Sequence, residues 1–317
     1  MSKINFFHGL INSLFDKPIK RRPFNFFSEK KQPLSSKDII ENVASARGEV
    51  SALEYAELLM QHCEQLNDKD LINFFKLIRD NFDISTSELS EAIDQYKVGS
   101  NSENLITFMK LSEPKRREIF RRCNGISKGT IRLVNLRKRL LGLLKKNPEL
   151  NAVDYDFVYL FKNWFNRGFL ILRPINWETP AHILEKIIAY EAVHEINSWD
   201  ELRLRLAPKD RRCFAFFHPA MQDEPIIFVE VALMNNIPSK IKDVLEEERQ
   251  LIEPHEANVA VFYSISNCQK GLSGISFGNF LIKQVANDLK FEFNNSLFSR
   301  YDINIFFSMA NNRISYF

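Results

Sequence analysis

The pattern of apolar residues changes near Gly168, and this change constrains the fold more than any other feature of the sequence. Before this glycine, apolar residues recur at the spacing of amphipathic helices, as at Leu71, Phe74, Phe75 and Ile78. After it, short apolar runs alternate with helical stretches. The glycine itself suits the position just after the end of a helix. We therefore predict an all-α helical bundle followed by a mixed α+β domain.

The second half of the chain predicts a mixed sheet. Apolar runs typical of strands lie at residues 169–172, 212–217, 226–233, 259–265 and 303–309. Helical patterns lie between them, at residues 179–192, from residue 198 onward, and at 239–251 and 279–291. The chain accordingly divides into a basic tail or linker at 1–35, a helical bundle at 36–167 and the sheet domain at 168–317.

The segment between the fourth predicted strand and the next helix is rich in glycine. It holds Gly271, Gly274 and Gly278, although the whole chain has only 10 glycines. Glycine allows the backbone to approach a ligand closely, and the first N–H groups of a helix have no partner within it. Ser273 and Ser276 add hydroxyl donors. The pattern predicts a phosphate-binding loop at a helix N-terminus, and a purely structural turn is the alternative.

The cysteines and the overall charge argue against several classes of protein. The four cysteines are scattered without a CxxC pair, which disfavours a zinc site or a disulfide framework. No stretch is long and apolar enough to predict a membrane span. The formal net charge is only +3. We therefore expect a cytoplasmic protein without a bound metal ion.

Two segments are strongly basic. Residues 1–35 hold seven Lys or Arg and two acidic residues, with apolar residues at helical spacing. This segment is either a membrane-binding or targeting helix, or a helix that docks on its own protein. A targeting helix would be a weaker indication of a mitochondrial location. Residues 110–146 carry thirteen Lys or Arg against two Glu. Because no nucleic-acid motif accompanies this charge, a solvated or partner-bound face is favoured over a nucleic-acid patch.

Three stretches of the second half resemble a known family. They lie at residues 164–194, 211–233 and 261–289, and the last reads VFYSISNCQKGLSGISFGNFLIKQVANDL. The order of elements resembles the acetyltransferase-like (GNAT-like) fold that binds acyl-CoA. The stretches themselves are similar to the malonyl-CoA decarboxylase family, which joins a helical N-terminal domain to an acetyltransferase-like domain. The resemblance extends from about residue 47 to residue 289.

This resemblance implies a site and a substrate. The substrate is malonyl-CoA or another acyl-CoA, no metal or other cofactor takes part, and subunits assemble into a homo-oligomer through the helical domain. Ser264 is expected on the strand that lines the pocket. The acyl-CoA-binding segment is expected at Ser273, Gly274, Ile275, Ser276, Phe277, Gly278 and Asn279.

The sequence departs from the family pattern after residue 291. Aligning the apolar run at 303–309 with the family's next strand places Ser308 at the position of the catalytic serine. The family's catalytic histidine has no counterpart, because all six histidines precede the glycine-rich joint. We also expect the sheet to end at its fifth strand, as in a C-terminally truncated member of the family.

Three functions therefore remain open. The first is a malonyl-CoA decarboxylase, which forms acetyl-CoA and CO₂ in fatty acid metabolism. The second is a non-catalytic relative that binds acyl-CoA or a partner protein. The third is an acyltransferase that uses the same CoA site.

Overall fold

The computed structural model describes residues 35–46, 48–246, 248–294, 304–308 and 314–316. Residues 1–34 of the basic tail predicted at 1–35 lie outside this part of the chain.

Eight α-helices form the first half of the described chain. Side-chain oxygens of Ser35, Asn67, Ser85 and Asn101 accept hydrogen bonds from backbone N–H groups at the start of the helices that follow them. The eight helices confirm the predicted helical bundle. The helices are α1 Ser36–Ser45, α2 Glu49–Gln65, α3 Asp68–Asn81, α4 Thr86–Val98, α5 Ser102–Leu111, α6 Lys115–Asn124, α7 Gly129–Leu144 and α8 Asn151–Trp164.

A six-stranded sheet with four further helices forms the second half of the described chain. Neighbouring strands follow the order of the chain and are antiparallel, except that β4 and β5 run parallel. The predicted α+β order is confirmed. The strands are β1 Ile171–Ile175, β2 Arg211–Phe217, β3 Ile227–Met234, β4 Val259–Asn267, β5 Asn304–Ser308 and β6 Ile314–Tyr316, and the helices are α9 Ala181–Tyr190, α10 Trp199–Leu206, α11 Ile241–Leu245 and α12 Gly278–Asn294.

Helices cover both faces of the sheet. The largest apolar core joins the helical bundle, one face of β2 to β4 and α12, and it includes Phe75, Phe157, Val229, Phe262 and Val285. A second core lies on the opposite face, beneath α9 and α10. A third packs α11 against β3 and β4 on the same side as the second. The largest core thus crosses the boundary at residue 168, and the division into domains there remains a prediction.

Three details differ from the sequence-based expectations. Gly168 does not follow a helix directly, because α8 ends at Trp164 and Gly168 lies in a short 3₁₀ turn that the Asn166 side chain caps. Helix α11 is much shorter than 239–251, since only Val244 of this helix is buried and the polar residues that follow offer no apolar face. The fifth strand is not the last, because β6 pairs antiparallel with β5.

Candidate functional site

The glycine-rich joint connects β4 to α12 on the surface. A 3₁₀ turn at Lys270–Leu272 follows the strand, and α12 begins at Gly278. Ser273, Gly274 and Ser276 are exposed. Ile275 is buried and Phe277 half-buried, while the burial of Gly278 and the side chain of Asn279 lie outside the described part. We call residues 273–277 the site loop. Its predicted binding residues therefore stand together directly before a 17-residue helix.

The site loop contains a type II β-turn. The Ile275 N–H donates to the Leu272 carbonyl at 3.0 Å. Ser273 has φ −54° and ψ 136°, and Gly274 has φ +76°. These are the angles of the two central residues of a type II turn, and the second of them requires a positive φ. A side chain at this position would meet open space. Glycine is thus needed here for its backbone conformation and not because room is lacking.

Three backbone donors of this region have no acceptor among the described residues. The N–H groups of Gly274, Ser276 and Phe277 donate no hydrogen bond to any part of the chain that the structure describes. They precede the N-terminus of α12, where the helix dipole favours negative charge. Successive free amides beside a helix N-terminus form a concave site for a phosphate or another anion.

Gly271 has a different purpose from the one predicted. A Cβ atom at this position would lie 2.0 Å from the Val134 carbonyl oxygen of α7. The glycine therefore permits close contact between the turn and the helical bundle. Arg137, also on α7, donates from Nη1 to the carbonyls of Gly271 and Ser273, at 2.7 and 2.8 Å. No local pattern in the sequence links this arginine to a loop so far along the chain.

One edge of β4 is open next to the joint. Strand β5 pairs with β4 only from Val259 to Phe262. From Tyr263 to Asn267, no described strand pairs with the edge of β4 that faces β5. The register with β3 also shifts here, since Glu230 pairs with Ser264 and Val231 with Phe262, which leaves Tyr263 as a bulge. The open edge leads directly to the site loop.

Ser264 lies on β4 as predicted, but its hydroxyl is occupied. It is buried and donates to both carboxylate oxygens of Glu191, each at 2.8 Å. Glu191 follows α9 and also accepts backbone N–H bonds from Val193 and His194 at 2.8 Å. The carboxylate therefore holds the end of α9 against β4. The Ser264 hydroxyl thus has its partner within the chain, and the part of Ser264 in ligand binding remains a prediction.

A second buried carboxylate lies on β3. Glu230 is fully buried and accepts a hydrogen bond from Arg205 at 3.1 Å. Burial raises the pKa of Glu230 to about 7. Burial and then the nearby Glu230 carboxylate raise the pKa of Tyr263. A cavity of about 180 Å³ adjoins Tyr263. The sequence shows Glu230 only as one acid in an apolar strand.

Ser308 is the last residue of β5, and its backbone pairs with Ile314 of β6. Its side chain lies outside the described part, so its catalytic role remains a prediction. Among the described histidines, burial lowers the pKa of His218, whose Nε2 lies 3.1 Å from the Trp164 carbonyl oxygen. His182 lies 3.6 Å from Asp223. Each of these two histidines therefore has a polar partner within the chain.

The basic stretch at 110–146 is used largely inside the helical bundle. Arg116 and Arg117 bind the buried Asp156, and Arg132 binds Glu57 and Glu64. Part of the positive charge of this stretch is therefore paired with acidic residues of the same chain. Within the described residues, no group of three His, Cys, Asp or Glu side chains has the arrangement of a metal site. None of the described helices is sufficiently long and apolar to cross a membrane.

Comparisons with known proteins identify the family. Residues 82–165 match the family model described as the malonyl-CoA decarboxylase N-terminal domain, and residues 168–301 match the C-terminal domain. The second match ends before β5, so it does not reach Ser308. Mitochondrial malonyl-CoA decarboxylases of Anser anser anser and Rattus norvegicus are 36% and 34% identical over 183 and 186 residues, which are 56% and 57% of this chain. The chain spans 36% and 38% of these relatives.

Solved structures extend the similarity. The malonyl-CoA decarboxylase of Rhodopseudomonas palustris is 45% identical with a TM-score of 0.78, covering 87% of this chain and 66% of that one. The enzyme of Agrobacterium vitis is 48% identical with a TM-score of 0.80, covering 86% of this chain and 65% of that one. Two adjacent domain models and these structures agree with the predicted resemblance. The chain belongs to the malonyl-CoA decarboxylase family.

Proposed function

We propose that this chain binds malonyl-CoA, with the diphosphate of CoA held by the site loop. The observation that carries the proposal is a set of N–H groups that have no acceptor among the described residues, at Gly274, Ser276 and Phe277, directly before α12. A diphosphate supplies the acceptor oxygens and the negative charge that such amides and a helix N-terminus attract. Ser273 and Ser276 are exposed beside them and add hydroxyl donors.

The open edge of β4 suits the next part of the ligand. The pantetheine arm of CoA carries two amides, and an extended amide chain pairs with free main-chain groups of a strand edge. The unpaired edge from Tyr263 to Asn267 leads to the site loop, so one extended ligand would run along it with the diphosphate at the loop. In this arrangement the thioester lies toward the bulge at Tyr263.

Decarboxylation of malonyl-CoA is the catalytic function that the similarity favours, since the solved relatives carry that name at 45% and 48% identity. The bond between the carboxylate and the α-carbon breaks, and its electron pair moves to the thioester oxygen as an enolate. A proton then reaches the carbon. The reaction needs hydrogen-bond donors at that oxygen and a proton donor, and needs no electron transfer. Within this proposal, Ser308 at the end of β5 takes part in catalysis.

One experiment with the purified full chain tests both the binding of CoA and the decarboxylation of malonyl-CoA. Binding of CoA, malonyl-CoA and pantetheine is measured by calorimetry, and acetyl-CoA is followed by chromatography. We expect CoA to bind at least about tenfold more tightly than pantetheine, since only CoA has the diphosphate. Equal affinity for the two ligands, or no binding of CoA, would refute the proposed site.

The products separate the three functions. If acetyl-CoA forms and Ser308→Ala abolishes its formation, decarboxylation with the predicted serine is established. Binding of CoA without turnover identifies the non-catalytic relative. Transfer of the acyl group to an added amine or alcohol, without release of CO₂, identifies an acyltransferase.

The proposed setting is the cytoplasm, without a resident metal or redox cofactor. All four cysteines are free and buried, as in a protein of a reducing compartment. The names of the avian and mammalian relatives include mitochondria, so the location of this chain is to be checked by fractionation.

A further inference from the structure

Arg137 of the helical bundle reaches the back of the site loop. Its side chain is 2% exposed and lies on α7, between Asp154 of α8 and the loop. Its Nε donates to Asp154 at 2.8 Å, and its Nη1 donates to the carbonyls of Gly271 and Ser273 at 2.7 and 2.8 Å. A buried guanidinium with two acceptors in one loop holds the backbone of that loop in one orientation.

The bond to Ser273 determines where the Gly274 N–H points. In a trans peptide, the carbonyl and the following N–H point in opposite directions. The Ser273 carbonyl faces α7, so the Gly274 N–H must face away from the bundle. The same peptide is the central one of the type II turn, and its rotation by about 180° would produce a type I turn. That rotation would break the bond to Arg137 and turn the Gly274 N–H inward.

The close packing of Gly271 supports the same orientation. Because this glycine lies against the Val134 carbonyl, the start of the turn is fixed on α7 and places the Ser273 carbonyl within reach of Arg137. Asp154 in turn fixes the guanidinium, with Nη2 at 3.4 Å from its second oxygen. A chain of contacts therefore connects two helices of the bundle to one peptide of the site loop.

We propose that Arg137 is a positioning residue of the acyl-CoA site, which keeps the Ser273–Gly274 peptide in the orientation that offers its N–H to the diphosphate. The helical domain thereby takes part in CoA binding without contacting the ligand through this side chain. The inference rests on the proposed function, because it assumes that the loop binds the diphosphate.

The test compares Arg137→Lys and Arg137→Leu with a matched control on the same helix. Arg139 also binds two backbone carbonyls, those of Cys63 and Leu66 at 2.9 and 2.5 Å, but both belong to the bundle. Arg139→Leu therefore removes a similar set of contacts far from the site loop. Calorimetry gives the affinity of each variant for CoA and for pantetheine, and urea unfolding gives its stability.

We expect Arg137→Leu to weaken CoA binding by about tenfold or more and to change pantetheine binding by less than about threefold. Arg137→Lys keeps the charge but not the fork of donors, so an intermediate loss is expected. Arg139→Leu lowers stability and leaves the ratio of CoA to pantetheine affinity unchanged. A general structural defect would lower both affinities together, whereas mispositioning of the peptide reduces the ratio.

The outcomes separate this inference from the proposed function. If the unmodified chain does not prefer CoA to pantetheine, the diphosphate site itself is refuted and the role of Arg137 with it. If the unmodified chain prefers CoA and Arg137→Lys and Arg137→Leu keep the same ratio, only the positioning role is refuted. If Arg137→Leu does not fold, Arg137→Lys decides the question.

Discussion

At the residue scale, the glycines of the joint serve different physical purposes. Gly271 has no room for a Cβ, since Val134 lies against it, whereas Gly274 has room but needs a positive φ. Both contribute to one result, a loop that is fixed on the bundle and has free N–H groups on its outer side. The sequence predicted the anion site from the glycines, the nearby serines and the helix that follows, and it could not assign these two reasons because each depends on a partner or an angle outside the local pattern.

The positive φ of Gly274 leads to a first prediction. Gly274→Ala introduces no clash, but alanine at φ +76° costs about 1–2 kcal/mol and favours rotation of the preceding peptide. We expect CoA affinity measured by calorimetry to fall by about tenfold. Gly142→Ala is the control, since Gly142 lies in helix α7 with no atom near its Cβ position, and the substitution should raise stability by about 0.5–1 kcal/mol. Unchanged CoA binding in Gly274→Ala would contradict the turn argument.

Glu230 leads to a prediction about pH. Its pKa is about 7 in the folded protein, against an ordinary value of 4.5. The folded state therefore retains a proton that the unfolded chain has lost between these values, and stability falls as pH rises through this window. Relative to Glu230→Gln, which does not titrate, the wild-type protein should lose roughly 3 kcal/mol or less between pH 4.5 and pH 7. Urea unfolding of both proteins at several pH values measures the difference, and parallel pH profiles would refute the shifted pKa.

At the element scale, the sequence predicted the strands and their order well, because alternation and short apolar runs reflect the burial of single strands. It failed where an element depends on distant partners. Helix α11 ends at Leu245, since only a short apolar face finds cover, and β6 is a short strand that only pairing with β5 reveals. The buried contacts of Glu191 and Arg137 were missed for the same reason, since each joins segments far apart along the chain.

The contact between α9 and β4 leads to a third prediction. Ser264 donates to the buried Glu191 carboxylate, so Ser264→Ala leaves that charge with one donor fewer. We expect the free energy of unfolding to fall by about 1.5–3 kcal/mol in urea titrations. Ser276→Ala is the matched control, because Ser276 is exposed on the site loop and its loss should change stability by less than about 0.5 kcal/mol. Equal stability of the two variants would show that Glu191 is satisfied without Ser264.

At the scale of the whole molecule, one apolar core unites the helical bundle with the sheet. The bundle supplies Val134 and Arg137 to the back of the site loop, so the predicted boundary at residue 168 separates patterns in the sequence more clearly than it separates units of packing. A site built in this way depends on both parts. The bundle also has a surface that the rest of the described chain leaves open, on helix α5.

Helix α5 leads to the last prediction, which concerns the predicted homo-oligomer. This helix buries none of its residues, and Leu105, Ile106 and Met109 are 39%, 50% and 61% exposed on it. An apolar face of this kind is typical of a surface covered by another subunit. We therefore expect the wild-type chain to be oligomeric by light scattering and Ile106→Lys to lower its mass, because a lysine charge at the centre of an apolar contact loses its water. Val50→Lys, at a residue 71% exposed on α2, should leave the mass unchanged. A wild-type monomer, or an Ile106→Lys oligomer of full mass, would exclude α5 as the subunit contact.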